Sequence, residues 1–351
     1  MLFLFHPTIA KNSHSTDTLL YKYSENKYAC TLCCTSAIIL RLSLVHMRKA
    51  FFQLHIAVFL AGFTAILGKL IGLNEILLVG YRLLITVITL AFLLKIKKQL
   101  ILLPLKETLQ IFCVGFIVAV HWITFYGSVK YGNVSVAVVC LAGSGFFTAL
   151  LEPLFYKKNI SMREILLGGI AILGIYIIFD FHPQYKTGII FGIISAIGIS
   201  LFPIFNKRLL TKHSPATLSL YEMTGGLLAT CLLLPVYLFY FPADYYLPST
   251  NDWILLLVLS WLCTVYCFHL QLNALQKISA FTCNLAYNLE PVYGIILAFI
   301  IFKENKLFNS QFYFGVGLIL LAVLLQTAGV YYHRKKIKSY KTAHPGIETT
   351  S

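Results

Sequence analysis

The chain has 351 residues, of which 58% are hydrophobic and 12% charged, and its mean hydropathy is +0.79. Because soluble globular proteins contain roughly 45–50% apolar and about 25% charged residues, this composition excludes that class and predicts a polytopic membrane protein. The formal net charge of +15 does not predict a nucleic-acid partner, because the basic residues are scattered between long apolar runs.

Residues 1–46 are more polar and irregular than the rest of the chain. Their cysteines at 30, 33 and 34, with His46 far away, supply too few well-spaced ligands to predict a zinc site. We predict no metal and no cofactor. Since Met47-Arg48-Lys49 directly precedes the first long apolar run, we expect translation to start at Met47. Residues 1–46 are then an extension that is disordered or absent.

Ten apolar spans follow, each bounded by a short break that carries turn signals. At 1.5 Å per residue, most are long enough to cross the hydrocarbon core of a bilayer as a helix. The sequence therefore predicts an all-α protein with ten transmembrane helices. The predicted spans are 51–71, 75–94, 104–125, 133–155, 163–180, 187–206, 217–240, 253–273, 279–302 and 310–331.

The breaks between the spans alternate in charge. Most Lys and Arg residues fall on one side, and the other side has only Lys130, Lys186, Lys303 and Lys306, with Lys69 nearby. Because Lys and Arg are enriched in cytoplasmic loops, this bias predicts both termini in the cytoplasm. Residues 332–351 then form a basic cytoplasmic tail, and we expect the protein in the plasma or inner membrane.

The spans divide into two units of five, at 50–180 and 187–331. Aligning 133–180 with 279–326 matches Lys157 with Lys303 and gives the same order of a long span, a break and a glycine-bearing span. Since five is odd, the second unit must be inverted in the membrane. Inverted repeats with a binding site between them are a transporter architecture.

The ninth span has a polar face near its middle. At 100° per residue, Asn284, Tyr287, Asn288 and Pro291 share one face, and Glu290 lies at its edge. An ionised carboxylate at membrane depth is costly unless it meets a partner or a wet cavity, and a proline bends a helix. The pattern predicts a bent helix that lines a solute pathway.

Two further charges fall inside spans. Arg82 lies about a third of the way into the second span, where a charge indicates either a functional site or a structural ion pair. Glu222, at a comparable position of the second unit, is a candidate partner of Arg82 or a separate proton or ligand site. Alternatively, Glu222 is an interfacial carboxylate near the inner surface.

His121 and Trp122 lie where the apolar run of the third span ends, with Tyr126 shortly after. Aromatic residues are typical of the membrane interface, which favours an interfacial belt. Alternatively, the histidine titrates near neutral pH and gates a pathway. The sequence leaves both interpretations open.

No HExxH, GxSxG or phosphate-loop motif is present in the sequence, so we do not predict an enzyme. The alternative is a membrane-embedded enzyme acting on a lipid or polyprenyl substrate. It would need clustered carboxylates or a nucleophile on one membrane side, whereas those of this chain are dispersed. A receptor, scaffold or scramblase is a third interpretation, which flux against a gradient would separate from a transporter.

Residues 50–331 resemble the EamA-type ten-helix carriers of the drug/metabolite transporter superfamily. The resemblance depends on five spans repeated, Arg82 in the second span, and the segment NLEPVYGIILAFIIFKENKLFNSQFYFGVGLIL. In that segment Pro291, Glu304 and Gly315 match recurring family positions. The first unit departs from the pattern, with Gly145 and Lys158 in place of the proline and glutamate.

The resemblance implies helices around a central, largely apolar cavity, in a secondary transporter that works by alternating access. It implies a solute that is an amino acid, a metabolite or a drug-like molecule, which we expect to be exported. The partners are then this small solute and the lipid bilayer. The predicted substrate pathway comprises Arg82, His121, Trp122, Tyr126, Glu222, Asn284, Tyr287, Asn288, Glu290 and Pro291.

Overall fold

The structure, a computed structural model, describes residues 49–156, 159, 161–181, 185–278, 283, 286–287, 289–307 and 309–343. The predicted extension 1–46 lies outside these residues. The described chain is helical throughout, without a β-strand. The α-helices are α1 (Lys49–Leu70), α2 (Glu75–Ile96), α3 (Leu105–Tyr131), α4 (Val134–Ala142), α5 (Ser144–Tyr156), α6 (Met162–Phe181), α7 (Lys186–Leu209), α8 (Pro215–Tyr240), α9 (Thr250–Ser260), α10 (Cys267–Lys277), α11 (Glu290–Phe302) and α12 (Ser310–Ala343).

Seven stretches within the described residues are long and apolar enough to cross a membrane. Two of them join neighbouring helices: Val134–Tyr156 comprises α4 and α5, and Thr250–Lys277 comprises α9, a π-helical turn at Trp261–Tyr266, and α10. Three shorter apolar helices lie at Ile165–Ile178, Glu290–Phe302 and Ser310–Ala322. These ten segments follow the order of the predicted spans, so the polytopic all-α class is confirmed.

Several helices extend beyond their predicted ends. Helix α3 continues to Tyr131 instead of ending at 125, and α12 continues to Ala343 instead of 331. Within the ninth predicted span, residues 283 and 286–287 are helical, and α11 begins at Glu290 with Pro291 in its first turn. A proline there costs no helical hydrogen bond, since the first N–H groups of a helix have no intrahelical acceptor.

Short polar side chains in the breaks start several helices. Asn133 accepts a hydrogen bond from the backbone N–H of Val136 at 2.8 Å, at the start of α4. Ser249 and Asp252 form a reciprocal capping box at the start of α9. These caps satisfy N–H groups that the helix itself leaves unpaired, which explains why the helices begin at the predicted turn signals.

Helix α3 is central to the packing, because it contacts both α7 and α8 of the second five-helix unit. Helix α2 also contacts α8, and α4 contacts both α7 and α11. One cluster of buried apolar side chains includes residues from both units. The two units therefore share a packed boundary, which is where a repeat architecture places a binding site.

The close contact between α6 and α12 gives a stability prediction. A Cβ added at Gly174 would lie 2.6 Å from the carbonyl oxygen of Gly315, whereas one added at Gly169 meets nothing within 4 Å. We expect Gly174→Ala to lower stability by about 1–3 kcal/mol through overpacking, and Gly169→Ala to raise it slightly through helix propensity. Thermal unfolding in detergent would measure both, and equal melting temperatures would contradict the tight packing of α6 on α12.

Candidate functional site

Arg82 is buried and held by neutral partners. Its side chain on α2 is 1% exposed. Nε donates to Thr264 Oγ1 at 2.7 Å, Nη1 donates to the Tyr126 hydroxyl at 2.7 Å, and Nη2 donates to the Cys263 carbonyl at 3.3 Å. The guanidinium lies over the Trp122 ring, with Cζ 3.6 Å from the ring centroid. A cation in this position is attracted by the ring quadrupole.

The π-helical turn at Trp261–Tyr266 provides two of these partners. Thr264 Oγ1 donates to the carbonyl of Leu259 at 2.9 Å, five residues earlier, and accepts from Arg82 at the same time. π-helical turns inside α-helices occur frequently at functional sites. This turn therefore presents Thr264 and the Cys263 carbonyl to the arginine, where an uninterrupted α-helix would place different groups.

Arg82 forms part of the wall of a small cavity of about 50 Å³. The walls come from both five-helix units and are mostly apolar and aromatic. The lining residues are Ala61, Thr64, Arg82, Val118, His121, Trp122, Phe125, Leu141, Gly198, Ile199, Phe202, Cys263, Cys267, Phe268, Gln271, Tyr287 and Glu290. Mostly apolar walls with a few convergent polar groups are typical of small-molecule sites.

Glu290 brings an acidic side chain into the same cavity. It is 8% exposed and is the first residue of α11, where the unpaired N–H groups of the helix favour a carboxylate. Among the described residues, no hydrogen bond or ion pair joins Glu290 to Arg82. A guanidinium and a carboxylate thus face one buried space without neutralising each other directly.

His121 on α3 is held by Ser195 on α7. Its Nδ1 lies 2.9 Å from the Ser195 carbonyl oxygen and 2.8 Å from Ser195 Oγ, and Ser195 Oγ donates to the His121 carbonyl at 3.1 Å. Since a carbonyl oxygen only accepts, Nδ1 carries a proton. The ring also stacks on Phe125, with centroids 6.2 Å apart. His121 therefore links the two units at the wall of the cavity.

A family model, the EamA-like transporter family, matches residues 48–180 and again 186–328. The chain belongs to the EamA-like transporter family. The two matches fall on the two predicted five-span units, and the all-helical structure agrees with two five-helix repeats. This protein is accordingly a multi-pass membrane protein of a transporter family.

Individual relatives within the EamA-like family are distant. YetK of Bacillus subtilis, described as an uncharacterized transporter, is 24% identical over 77% of this chain and 84% of its own length. YdfC of the same organism is 27% identical over 52% of this chain and 61% of its own length. A similarly described protein of Archaeoglobus fulgidus is 27% identical, over 37% of this chain and 48% of its own. The matches with YdfC and the Archaeoglobus protein thus span less than two thirds of those relatives.

A solved crystal structure gives a TM-score of 0.58 at 13% identity, covering 80% of this chain and 98% of that one. At this identity the likeness shows the fold alone.

The structure places the predicted pathway residues in two groups. Arg82, His121, Trp122, Tyr287 and Glu290 line the cavity, and Tyr126 lies behind it as a partner of Arg82. Pro291 is buried next to Glu290. Asn284 and Asn288 lie outside the described residues. The interfacial-belt interpretation of His121 and Trp122 is wrong, because both are buried along α3, which continues to Tyr131.

Glu222 is not among the groups that bind Arg82, so the suggested pairing of these two residues is not present. It is fully buried on α8, and its carboxylate faces the buried side chain of Asn206 on α7. A Cβ on Gly115 of α3 would lie 2.2 Å from the backbone oxygen of Glu222, so the residue lies at a close helix crossing. It does not line the Arg82 cavity.

Sequence reasoning missed the cavity residues Thr64, Cys263, Phe268 and Gln271. It also missed Ser195 and Thr264, which are hydrogen-bonded to His121 and Arg82. Each is a common residue type in membrane helices, and no local pattern separates those that face the cavity from those that face a neighbouring helix. One sequence signal could have found Gln271: it lies with His269 and Asn273 in a group of polar residues near the end of the eighth predicted span. Of these, Gln271 lines the cavity, whereas His269 contacts Asn273 at the surface.

Glu304 joins the two repeats near the start of α4. Its fully buried carboxylate forms an ion pair with Lys69 at 2.6 Å and accepts from the backbone N–H of Ser135 at 3.0 Å and from Ser135 Oγ at 2.7 Å. It thereby binds the N-terminus of α4, where anions are favoured. Nearby, Asp252 accepts from the backbone N–H of Gly72 at 2.9 Å.

Proposed function

We propose that this protein is a secondary transporter that exports a small solute through the cavity around Arg82 and Glu290. The supporting observation is that the Arg82 guanidinium and the Glu290 carboxyl group line one cavity without a direct ion pair. Burying unpaired charge is costly, and charges inside membrane proteins usually face a substrate or ion pathway. A solute that contacts both groups would offset that cost.

Alternating access accounts for the contacts between the repeats. The cavity walls come from both five-helix repeats, and the Lys69–Glu304 ion pair and the Asp252–Gly72 hydrogen bond join them at the outer side. Movement of one repeat against the other would break these contacts and open the cavity outward. No covalent chemistry is required, so the energy comes from solute or ion gradients.

The distribution of Lys and Arg supports an orientation with both termini in the cytoplasm, in the plasma or inner membrane. Residues 50–180 and 187–331 are then the two repeats, and 332–351 the basic tail, of which α12 includes residues up to Ala343. Aromatic walls made of Trp122, Phe125, Phe202 and Phe268 suit a solute with an apolar body, such as an amino acid, a metabolite or a drug-like molecule.

The test compares metabolites inside cells that lack the protein with those in cells that overproduce it. We expect at least one small solute to accumulate several-fold in cells that lack it and to appear in the medium of cells that overproduce it. Proteoliposomes loaded with that solute should release it faster than protein-free liposomes. If no solute pool changes and no candidate is released, the transporter assignment is wrong.

A further inference from the structure

A second groove, of about 380 Å³, lies between the inner ends of α3 and α7. Its walls are apolar toward the middle of the helices and basic toward their ends. The lining residues are Glu107, Gln110, Cys113, Val114, Ile117, Phe205, Arg208, Leu209, Lys212 and His213.

The charges around this inner groove do not cancel. Glu107 is the only carboxylate among the lining residues, and its Oε2 lies 3.5 Å from Nε2 of His213. Within the part of the chain that the structure describes, Arg208 and Lys212 have no ion pair. Two free cations at the rim of an apolar groove match a molecule that has an anionic group and an apolar body.

The inner groove and the Arg82 cavity lie along the same two helices. On α3, Val114 and Ile117 line the groove, and Val118 and His121, the next residues of that face, line the cavity. On α7, Phe205 and Arg208 line the groove, and Ile199 and Phe202 line the cavity. Because residues three or four apart share a helix face, the two spaces are consecutive along one α3–α7 seam.

Aromatic side chains lie at the boundary between the two spaces. Phe202 packs edge-to-face on Phe268, with ring centroids 5.3 Å apart, and Phe205 packs on Phe155 at 4.8 Å. Rotation of a few side chains, with no movement of backbone hydrogen bonds, would change this boundary. A solute in the inner groove is therefore one helical turn from the Arg82 cavity.

We propose that the inner groove is a binding site for a soluble anion, a carboxylate or a phosphate with an apolar body, which it delivers to the Arg82 cavity. This inference rests on the proposed transport function and adds a substrate class to it. Arg208 and Lys212 bind the anionic group, and Val114, Ile117, Phe205 and Leu209 contact the apolar body.

Cys113 allows this to be tested without knowing the solute, since its thiol is exposed in the groove. The purified full-length protein in phosphatidylcholine nanodiscs is labelled with an anionic reagent, 2-sulfonatoethyl methanethiosulfonate, or a cationic one, 2-(trimethylammonium)ethyl methanethiosulfonate. Mass spectrometry of the Cys113 peptide gives the ratio of the two rates. Because both reagents attack the same thiolate, their ratio reports the local concentration of each reagent and not the reactivity of the thiol.

We expect the anionic-to-cationic ratio at Cys113 to fall about tenfold in the double variant Arg208→Gln/Lys212→Gln, since local charge changes the concentration of charged reagents by this order. The matched control, Lys97→Gln/Lys106→Gln, removes two exposed cations that do not line the groove and should keep the ratio. Benzoate and phenyl phosphate should slow labelling in the wild type, and benzamide should not. An unchanged ratio in the double variant, or no protection by either anion, would overturn the proposal.

Changing the lipid composition of the nanodisc distinguishes binding of a soluble anion from binding of a lipid headgroup. If phosphatidylglycerol in the nanodisc blocks Cys113 and phenyl phosphate does not, the groove binds a headgroup and the proposal is wrong. Protection by phenyl phosphate in pure phosphatidylcholine supports it. Arg82→Ala should leave the labelling ratio unchanged, so failure of the transport function and failure of this site give different results.

Discussion

Replacing Arg82 with alanine is expected to reduce transport of the identified solute by about 100-fold or more. The guanidinium is the only described cation in the central cavity, and hydrogen bonds to a charged group contribute about 1.5–3 kcal/mol each. Loss of one or two such bonds to a solute corresponds to roughly this fold-change, since about 1.4 kcal/mol is tenfold. The measurement is the initial rate of release from proteoliposomes, normalised to reconstituted protein.

The variant Arg82→Lys distinguishes the effect of the positive charge from the effect of the hydrogen-bond geometry of the guanidinium. A lysine keeps the positive charge but cannot donate to Thr264, Tyr126 and the Cys263 carbonyl in the planar arrangement that arginine uses. We expect an intermediate loss of transport, mainly as a higher KM. Lys106→Gln, which removes an exposed charge outside the cavity, should transport normally. Normal transport by Arg82→Ala, with size-exclusion profiles like the wild type, would show that the pathway lies elsewhere.

Much of the fold follows from hydropathy alone. Ten apolar segments separated by turn residues require ten helices, because backbone groups in lipid must form hydrogen bonds within their own segment. The predicted helix ends were less accurate. The end of α3 was placed at 125 because polar residues begin near His121, but that residue is hydrogen-bonded to Ser195 across the repeat boundary and remains buried. Hydropathy placed His121 near the membrane interface, whereas its tertiary contacts keep it buried inside the protein.

The charged residues inside the predicted spans pointed to the Arg82 cavity, but the sequence did not predict the other groups that surround Arg82. Arg82 and Glu290 were predicted because a charge in an apolar span is rare and costly. Thr264 and the Cys263 carbonyl could not be predicted, because they reach Arg82 through a π-helical turn that has no sequence signature here. The Arg82–Glu222 pairing failed for a similar reason. Arg82 binds groups on α3 and the π-helical turn, whereas the backbone of Glu222 lies where α8 crosses α3 at Gly115.

The inner groove escaped sequence analysis as well. Arg208 and Lys212 contribute to the positive-inside bias, and the sequence contains no sign that they also form one wall of a groove. The arrangement arises because α3 and α7 pack closely at Gly198, where an added Cβ would lie 2.9 Å from Cβ of His121. Thus two basic residues that contribute to the charge bias of the sequence also line the inner groove of the α3–α7 seam.

Glu290→Gln is expected to reduce transport by tenfold or more while expression and thermal stability stay close to the wild type. The substitution keeps the shape of the side chain and removes the negative charge that faces the cavity. Because the carboxylate makes no hydrogen bond or ion pair within the described residues, the folded protein loses little. The solute, or an ion that moves with it, loses its only acidic contact in the described cavity wall.

Glu222→Gln is the matched control, since Glu222 is a second fully buried carboxylate on a membrane helix. Its carboxylate faces Asn206 of α7 and does not line the Arg82 cavity. The amide should therefore transport as well as the wild type and unfold at the same or a higher temperature, because a buried carboxylate is removed. Release rates and melting curves of the two variants, measured side by side, separate a carboxylate that meets the solute from one that is only buried. If Glu222→Gln stops transport and Glu290→Gln does not, the acid that the transport cycle uses lies on α8, and the cavity around Arg82 has been assigned the wrong role.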